Sequence, residues 1–198
     1  MTHSIDKAKR RFLTNATTVV GGVGVAAVAV PFLASMSPSE KAQAAGAPVN
    51  VDISKLALGQ LLIVEWRGKP VWIVRRSADI IKTLKTETAK LSDPNSDEVD
   101  QQPEYCTNPS RSIREELMVV VGICTHLGCS PTYRPELSPA DLGEDWKGGF
   151  FCPCHGSKFD LAGRVYQGMP APTNLVVPPH HFVSNNQILI GEDAKGVA

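Results

Sequence analysis

Cys124-Thr125-His126-Leu127-Gly128-Cys129 and Cys152-Pro153-Cys154-His155-Gly156-Ser157 are two short cysteine-histidine clusters with 22 residues between them. Together they supply four cysteines and two histidines. One cysteine and one histidine from each cluster complete a four-ligand metal site, which leaves one further cysteine per cluster to pair with the other. Thiolate suits zinc or iron-sulfur chemistry, and imidazole is neutral, so a mixed set lowers the negative charge around whatever it holds. In an all-cysteine [2Fe-2S] site an added electron enters an already anionic centre. Neutral imidazoles on one iron relieve that charge and raise the potential into the range of about −150 to +300 mV. A centre of that kind accepts electrons from a mild donor such as a quinol.

The pair C-T-H-L-G-C and C-P-C-H-G-S resembles the signature of the Rieske iron-sulfur proteins. With its extra cysteine pair it is similar to the form found in quinol to cytochrome c oxidoreductases, the cytochrome bc1 complexes. Gly168-Met169-Pro170-Ala171-Pro172 resembles the proline-rich loop that covers the cluster in that family. The resemblance implies one [2Fe-2S] cluster per chain on Cys124, His126, Cys152 and His155, and a disulfide between Cys129 and Cys154. It implies electron transfer from ubiquinol to cytochrome c1, with cytochrome b and cytochrome c1 subunits as partners in a dimeric, membrane-anchored complex. In that setting His155 is the catalytic position, bonding the quinol and taking its proton, and His126 is the second redox-linked histidine. Ser157 matches the serine whose hydroxyl bonds a bridging sulfide, and Leu127 matches a residue that shields the cluster and lines the docking face. Phe159 stands where many members carry a tyrosine that bonds a ligand sulfur, so one donor is absent and a lower potential is expected.

Other chemistries fit the six residues less well. A structural Cys2His2 zinc site would use the same four ligands, but it does not require a second cysteine in each loop. Ferredoxin-like Rieske proteins lack the additional cysteine pair. An exported Rieske subunit of a molybdenum oxidoreductase such as arsenite oxidase is the alternative function that the motif admits. Cys106 is left over and reads as a shielded free thiol. His180 and His181 lie outside both clusters, and His3 is terminal.

The ends of the chain place this site. From Phe12 to Ser39 there is no charged residue, and about 20 apolar residues span a bilayer as a helix. Lys7, Lys9, Arg10 and Arg11 precede the run, whereas Glu40 and Lys41 follow it. Positive-inside bias therefore predicts a cytoplasmic N-terminus and an exported C-terminal head, which the resemblance makes a single-pass protein of a bacterial inner membrane with a periplasmic head. Lys9-Arg10-Arg11-Phe12-Leu13 also resembles a twin-arginine export signal, although the usual spacer before the phenylalanine is missing unless Lys9 and Arg10 serve as the pair. Ala42-Gln43-Ala44 has the small-residue pattern of a signal peptidase site, but the uncharged stretch exceeds a signal h-region, so an uncleaved anchor is expected. The first 36 residues hold four Lys/Arg and one acidic residue, which leaves 16 basic against 19 acidic residues beyond them. That mild balance suggests no nucleic-acid partner.

The expected organisation is a basic N-terminus over 1–11, an anchor over 12–36, a hinge linker over 37–48 and the head over 49–198, with the cluster-binding part at about 122–172. The fold class is mainly β: one transmembrane helix, a flexible hinge, and an exported antiparallel β Rieske domain with a cluster-binding subdomain. Leu61–Trp66 and Val71–Val74 flank Arg67-Gly68-Lys69-Pro70 and predict a hairpin. Ser77 to Lys90 reads as a short helix with Ser77 as N-cap, and Ser92 to Asn108 as loop. Leu117 to Ile123 predicts a buried strand running into the first cluster. Further short strands are expected at Phe150–Phe151, Arg164–Tyr166, Leu175–Val177, Phe182–Val183 and Ile188–Ile190.

Overall fold

The computed structural model describes residues 6–194, so His3 lies outside the described residues. The chain divides into two compact units, Met1–Ala44 and Ala45–Ala198. In the first, α1 (Lys7–Ala34) opens on Asp6, whose carboxylate accepts from the Ala8 and Lys9 amides. Its 28 residues rise about 42 Å at 1.5 Å each, long and apolar enough to cross a bilayer. Thr14, Thr17 and Thr18 donate their hydroxyls back to the carbonyls four residues earlier. These three hydroxyls thus find acceptors within the helix, as lipid demands. A second helix, α2 (Glu40–Ala45), occupies part of the segment read as linker. Ser39 accepts from the Ala42 amide at its start, and the alanine-rich run that follows has high helix propensity.

The second unit is built from three small antiparallel sheets. The middle one has β2 (Leu61–Trp66), β3 (Lys69–Arg75) and β4 (Leu117–Val121) in the order β2-β3-β4. The hairpin turn is two residues long rather than four: Arg67 and Gly68 both have positive φ, 52° and 68°, and Pro70 already pairs with Glu65. Positive φ at both turn residues matches the twist of the strands it joins. Alternation along β3 and β4 sorts their side chains onto two faces. Trp72, Val74, Met118 and Val120 enter one core, which also contains Cys124 and Cys152. Val71, Ile73, Val119 and Val121 enter the other, against Val51, Ile188 and Ile190. Because both faces are buried, β4 reads as an unbroken apolar run.

The second core is closed by β1 (Val49–Asp52), β8 (His180–Ser184) and β9 (Gln187–Ile190), ordered β1-β9-β8. The first is closed by β5 (Thr132–Arg134), β6 (Gly149–Phe151) and β7 (Lys158–Asp160), ordered β5-β6-β7. Phe150 of β6 stacks on Trp72 of β3 with ring centroids 4.9 Å apart, which seats the small sheet on the middle one. The predicted helix is α3 (Ala78–Thr86), capped by Ser77 and four residues shorter than expected at its C-terminus. Arg164–Tyr166 and Leu175–Val177 form no strands: only isolated bridges, Phe159 with Val165 and Leu91 with Tyr166, involve the first.

Three buried arginines join these layers. Arg76 donates to the carbonyls of Glu115, Ser110 and Leu161 and to the Ser112 hydroxyl. Burial pushes its pKa down to about 10, so it stays charged at neutral pH. Arg111 reaches the carbonyls of Ala162 and Gln101 and the Gln102 side chain, while Arg164 pairs with Asp160 and donates to Leu84. A buried guanidinium is tolerated where its N–H groups find acceptors. Here most of the acceptors are backbone carbonyls, and those of Leu161 and Ala162 tie the segment after β7 to Arg76 and Arg111.

Candidate metal centre

The two cysteine-histidine clusters are the loops from β4 to β5 and from β6 to β7, and they fold alike. The Cys124 amide donates to the Cys129 carbonyl at 2.8 Å, and the Gly128 amide donates back to Cys124 at 3.0 Å. In the second loop the Cys152 amide donates to Ser157 at 2.8 Å, and Gly156 donates back to Cys152 at 2.9 Å. Gly128 and Gly156 occupy the same place in each turn, with φ of 83° and 80°, a conformation that glycine adopts without steric cost. Two matching turns therefore present Cys124 and Cys152 side by side, both 2% exposed and neither in a disulfide. Burial is the largest influence on the Cys152 thiol and pushes its pKa up, and Cys124 beside it adds to that.

The two imidazoles of these loops, His126 and His155, meet edge to face with ring centroids 4.7 Å apart. His126 is half-buried and its Nδ1 has no hydrogen-bond partner among the described residues; His155 is exposed. Cys129 and Cys154 form a disulfide that joins the loops, with Cα atoms 6.8 Å apart. Leu127, at the tip of the first loop, is 71% exposed.

A third segment, 168–173, lies against both loops. The Ala171 amide donates to Ser157 Oγ at 3.0 Å, and Thr125 Oγ1 donates to the Thr173 carbonyl at 2.7 Å. Ser157 is fully buried. Since its oxygen accepts from Ala171, its hydroxyl proton remains to be donated elsewhere.

Comparison with known proteins agrees with this geometry. Residues 51–179 match the profile "Rieske [2Fe-2S] domain", and residues 1–39 match "Ubiquitinol-cytochrome C reductase Fe-S subunit TAT signal". The chain is 62% identical over 189 residues to the ubiquinol-cytochrome c reductase iron-sulfur subunit of Allochromatium vinosum, covering 96% of this chain and 91% of that one. It belongs to this family of Rieske subunits. The corresponding subunit of Blastochloris viridis is 45% identical, with 94% of each chain covered. Among solved structures, a chain of "Hyperthermophilic respiratory Complex III" is 26% identical with a TM-score of 0.49, covering 90% of this chain and 98% of that one.

The Rieske head thus brings the two motif loops together, with Ser157 and the proline-rich segment against them. Phe159 is fully buried in the same core as Cys124 and Cys152. Cys106 is a free, buried thiol whose pKa burial raises to about 12. His180 and His181 lie on β8, in the sheet that closes the other core, where His180 Nδ1 meets the Pro178 carbonyl at 2.8 Å. Sequence reasoning passed over Thr125 and Gly156. A visible signal existed for the glycine, since Gly128 and Gly156 each stand four places after a cysteine.

Proposed function

We infer that this Rieske subunit carries electrons from ubiquinol to cytochrome c1 within a bc1 complex, using a [2Fe-2S] cluster held by Cys124, His126, Cys152 and His155. The observation that carries the assignment is the pair of matching turns, whose loops bear two buried free thiols and two imidazoles that meet edge to face. The donor set fits the group: two thiols outside the disulfide supply soft ligands, and the orphaned buried Nδ1 of His126 is costly unless something accepts its lone pair. When bound, the cluster supplies a one-electron couple whose potential the two neutral imidazoles raise above that of an all-thiolate site.

The remaining roles belong to side chains of the tip. His155 is the more exposed imidazole, so it can bond a quinol hydroxyl at the surface and hold its proton. Leu127, exposed on the first loop, offers apolar surface to an apolar quinol pocket. The disulfide keeps the two loops together, and Ser157 and the segment 168–172 exclude water from the third side. Cytochrome b and cytochrome c1 are the partners. The basic N-terminus 1–11 stays cytoplasmic, 12–36 anchors the chain, 37–48 acts as the hinge, and the head works in the periplasm.

Electron paramagnetic resonance of reduced membranes, with a haem assay of the purified assembly, tests this reading. A Rieske signal that copurifies with b- and c-type haem is expected. Native material without iron or acid-labile sulfide would overturn it.

A further inference from the structure

The covering segment makes few bonds of its own. Between Gly168 and Thr173, Pro170 and Pro172 have no amide proton, and the hydrogen bonds found are those of Ala171 to Ser157 and of Thr125 to Thr173. Its position is therefore set largely at its two ends. There the fully buried Asn174 joins three parts of the head. Its Oδ1 accepts from the Val165 amide at 2.9 Å, which closes the mouth of the segment. Its Nδ2 donates to the Asp93 carbonyl at 3.0 Å and to Asp93 Oδ2 at 3.3 Å. Asp93 is itself held, because its carboxylate accepts from the amides of Asp97 and Glu98. Val165 is fixed from the other side by the Ser92 amide, and the next residue, Leu175, donates to the Gly163 carbonyl.

We propose that Asn174 is a positioning residue for the metal centre: its carboxamide staples the ends of the covering segment to each other and to the Asp93 turn, and so sets how tightly 168–172 seals the two thiol-bearing loops. The contacts require one acceptor and two donors on a short side chain, which a carboxamide of this length provides. Aspartate is nearly the same shape but has no donors when ionised, and it would face the Asp93 carboxylate. A looser seal admits water to the site, and solvent exposure and sulfur hydrogen bonding both tune such centres. The inference rests on the functional reading above.

The test uses full-length chains in their own membranes. Asn174→Asp is compared with the wild type and with Val51→Ala, a cavity in the other core. Three quantities are read: the resonance g-values after reduction, the reduction potential, and the rate of iron loss to an added chelator. Asn174→Asp is expected to shift the g-values and the potential and to release iron roughly 10-fold faster, while Val51→Ala lowers thermal stability and leaves all three unchanged. An Asn174→Asp head that melts earlier but keeps wild-type g-values, potential and iron loss would overturn the proposal. Should that variant not accumulate, Asn174→Ser, which drops the Asp93 bonds and keeps a hydroxyl, decides by the same three quantities. Wild-type membranes without a Rieske signal would overturn the functional reading and this inference with it, so the two failures are distinguishable.

Discussion

Thr125 Oγ1 and the Thr173 carbonyl are 2.7 Å apart across 48 residues of sequence, a bond that fastens the first cluster loop to the far end of the covering segment. Valine has the shape of threonine without the donor. Thr125→Val is therefore expected to lower stability by about 0.5–1.5 kcal/mol and to speed iron loss, because the covering segment is freed at one of its two attachments to the loops. Thermal melting and chelator kinetics on the same preparation check this. Unchanged iron loss would mean that Ser157 and the Asn174 bonds hold the segment without Thr125.

Ser157 and Phe159 should move the potential in opposite directions. Ser157→Ala removes the hydroxyl proton expected to reach a sulfide and also strands the Ala171 amide, so a lower potential and a loss of about 1–3 kcal/mol are expected. Phe159→Tyr adds a hydroxyl to a ring packed in one core with Cys124 and Cys152. It is expected to raise the potential by tens of millivolts, on the scale of about 59 mV per tenfold change for one electron. Redox titration decides; no rise in Phe159→Tyr would place the new hydroxyl away from sulfur.

The disulfide of Cys129 with Cys154 spans a sequence separation of 25. By loop-closure entropy its removal costs about 3 to 4 kcal/mol, a model-dependent figure. Its local consequence is sharper, since it directly couples two loops that are otherwise tied through Thr125, Ser157 and the covering segment. Cys129→Ser is expected to lose the native resonance signal at a lower temperature than that at which the β-sheet circular dichroism collapses. Coincident transitions would show that the bond stabilises the head only as a whole.

The centre was legible because its chemistry is local: six thiol and imidazole side chains fall in two hexapeptides, and each turn carries its glycine at the same offset. The middle sheet was legible because β4 is apolar throughout and β3 from Pro70 to Val74. What escaped depends on polar contacts with no period in the chain. Asn174 meets Asp93 from 81 residues away, and Ser157 meets Ala171 from 14. The segments 164–166 and 175–177 have strand composition, yet the Val165 amide is taken by an Asn174 side chain and the Val177 amide by Gln101. β5 and β7 span three residues each, too short for alternation to register. Ser37 to Pro48 was expected as linker from its prolines and small residues, but Ser39 and the alanines support one short helix inside it.

His180 predicts an acid limb in stability. It is buried at the start of β8, its Nδ1 meets the Pro178 carbonyl, and its Nε2 has no partner among the described residues. Burial pushes its pKa below the ordinary 6.5, outweighing the Pro178 bond and the Asp193 carboxylate, which both favour the charged ring; His181 opposes it further. The folded head therefore prefers the neutral ring, and between its lowered pKa and about 6.5 the unfolded chain binds more protons. The stability is complete above that ordinary value and is lost as pH falls through the window. Asparagine can keep the donor to Pro178 without titrating. The urea midpoint of the full-length chain in detergent should fall from about pH 7.5 to about pH 5.5 by more in the wild type than in His180→Asn. Equal falls would assign the acid sensitivity to another group.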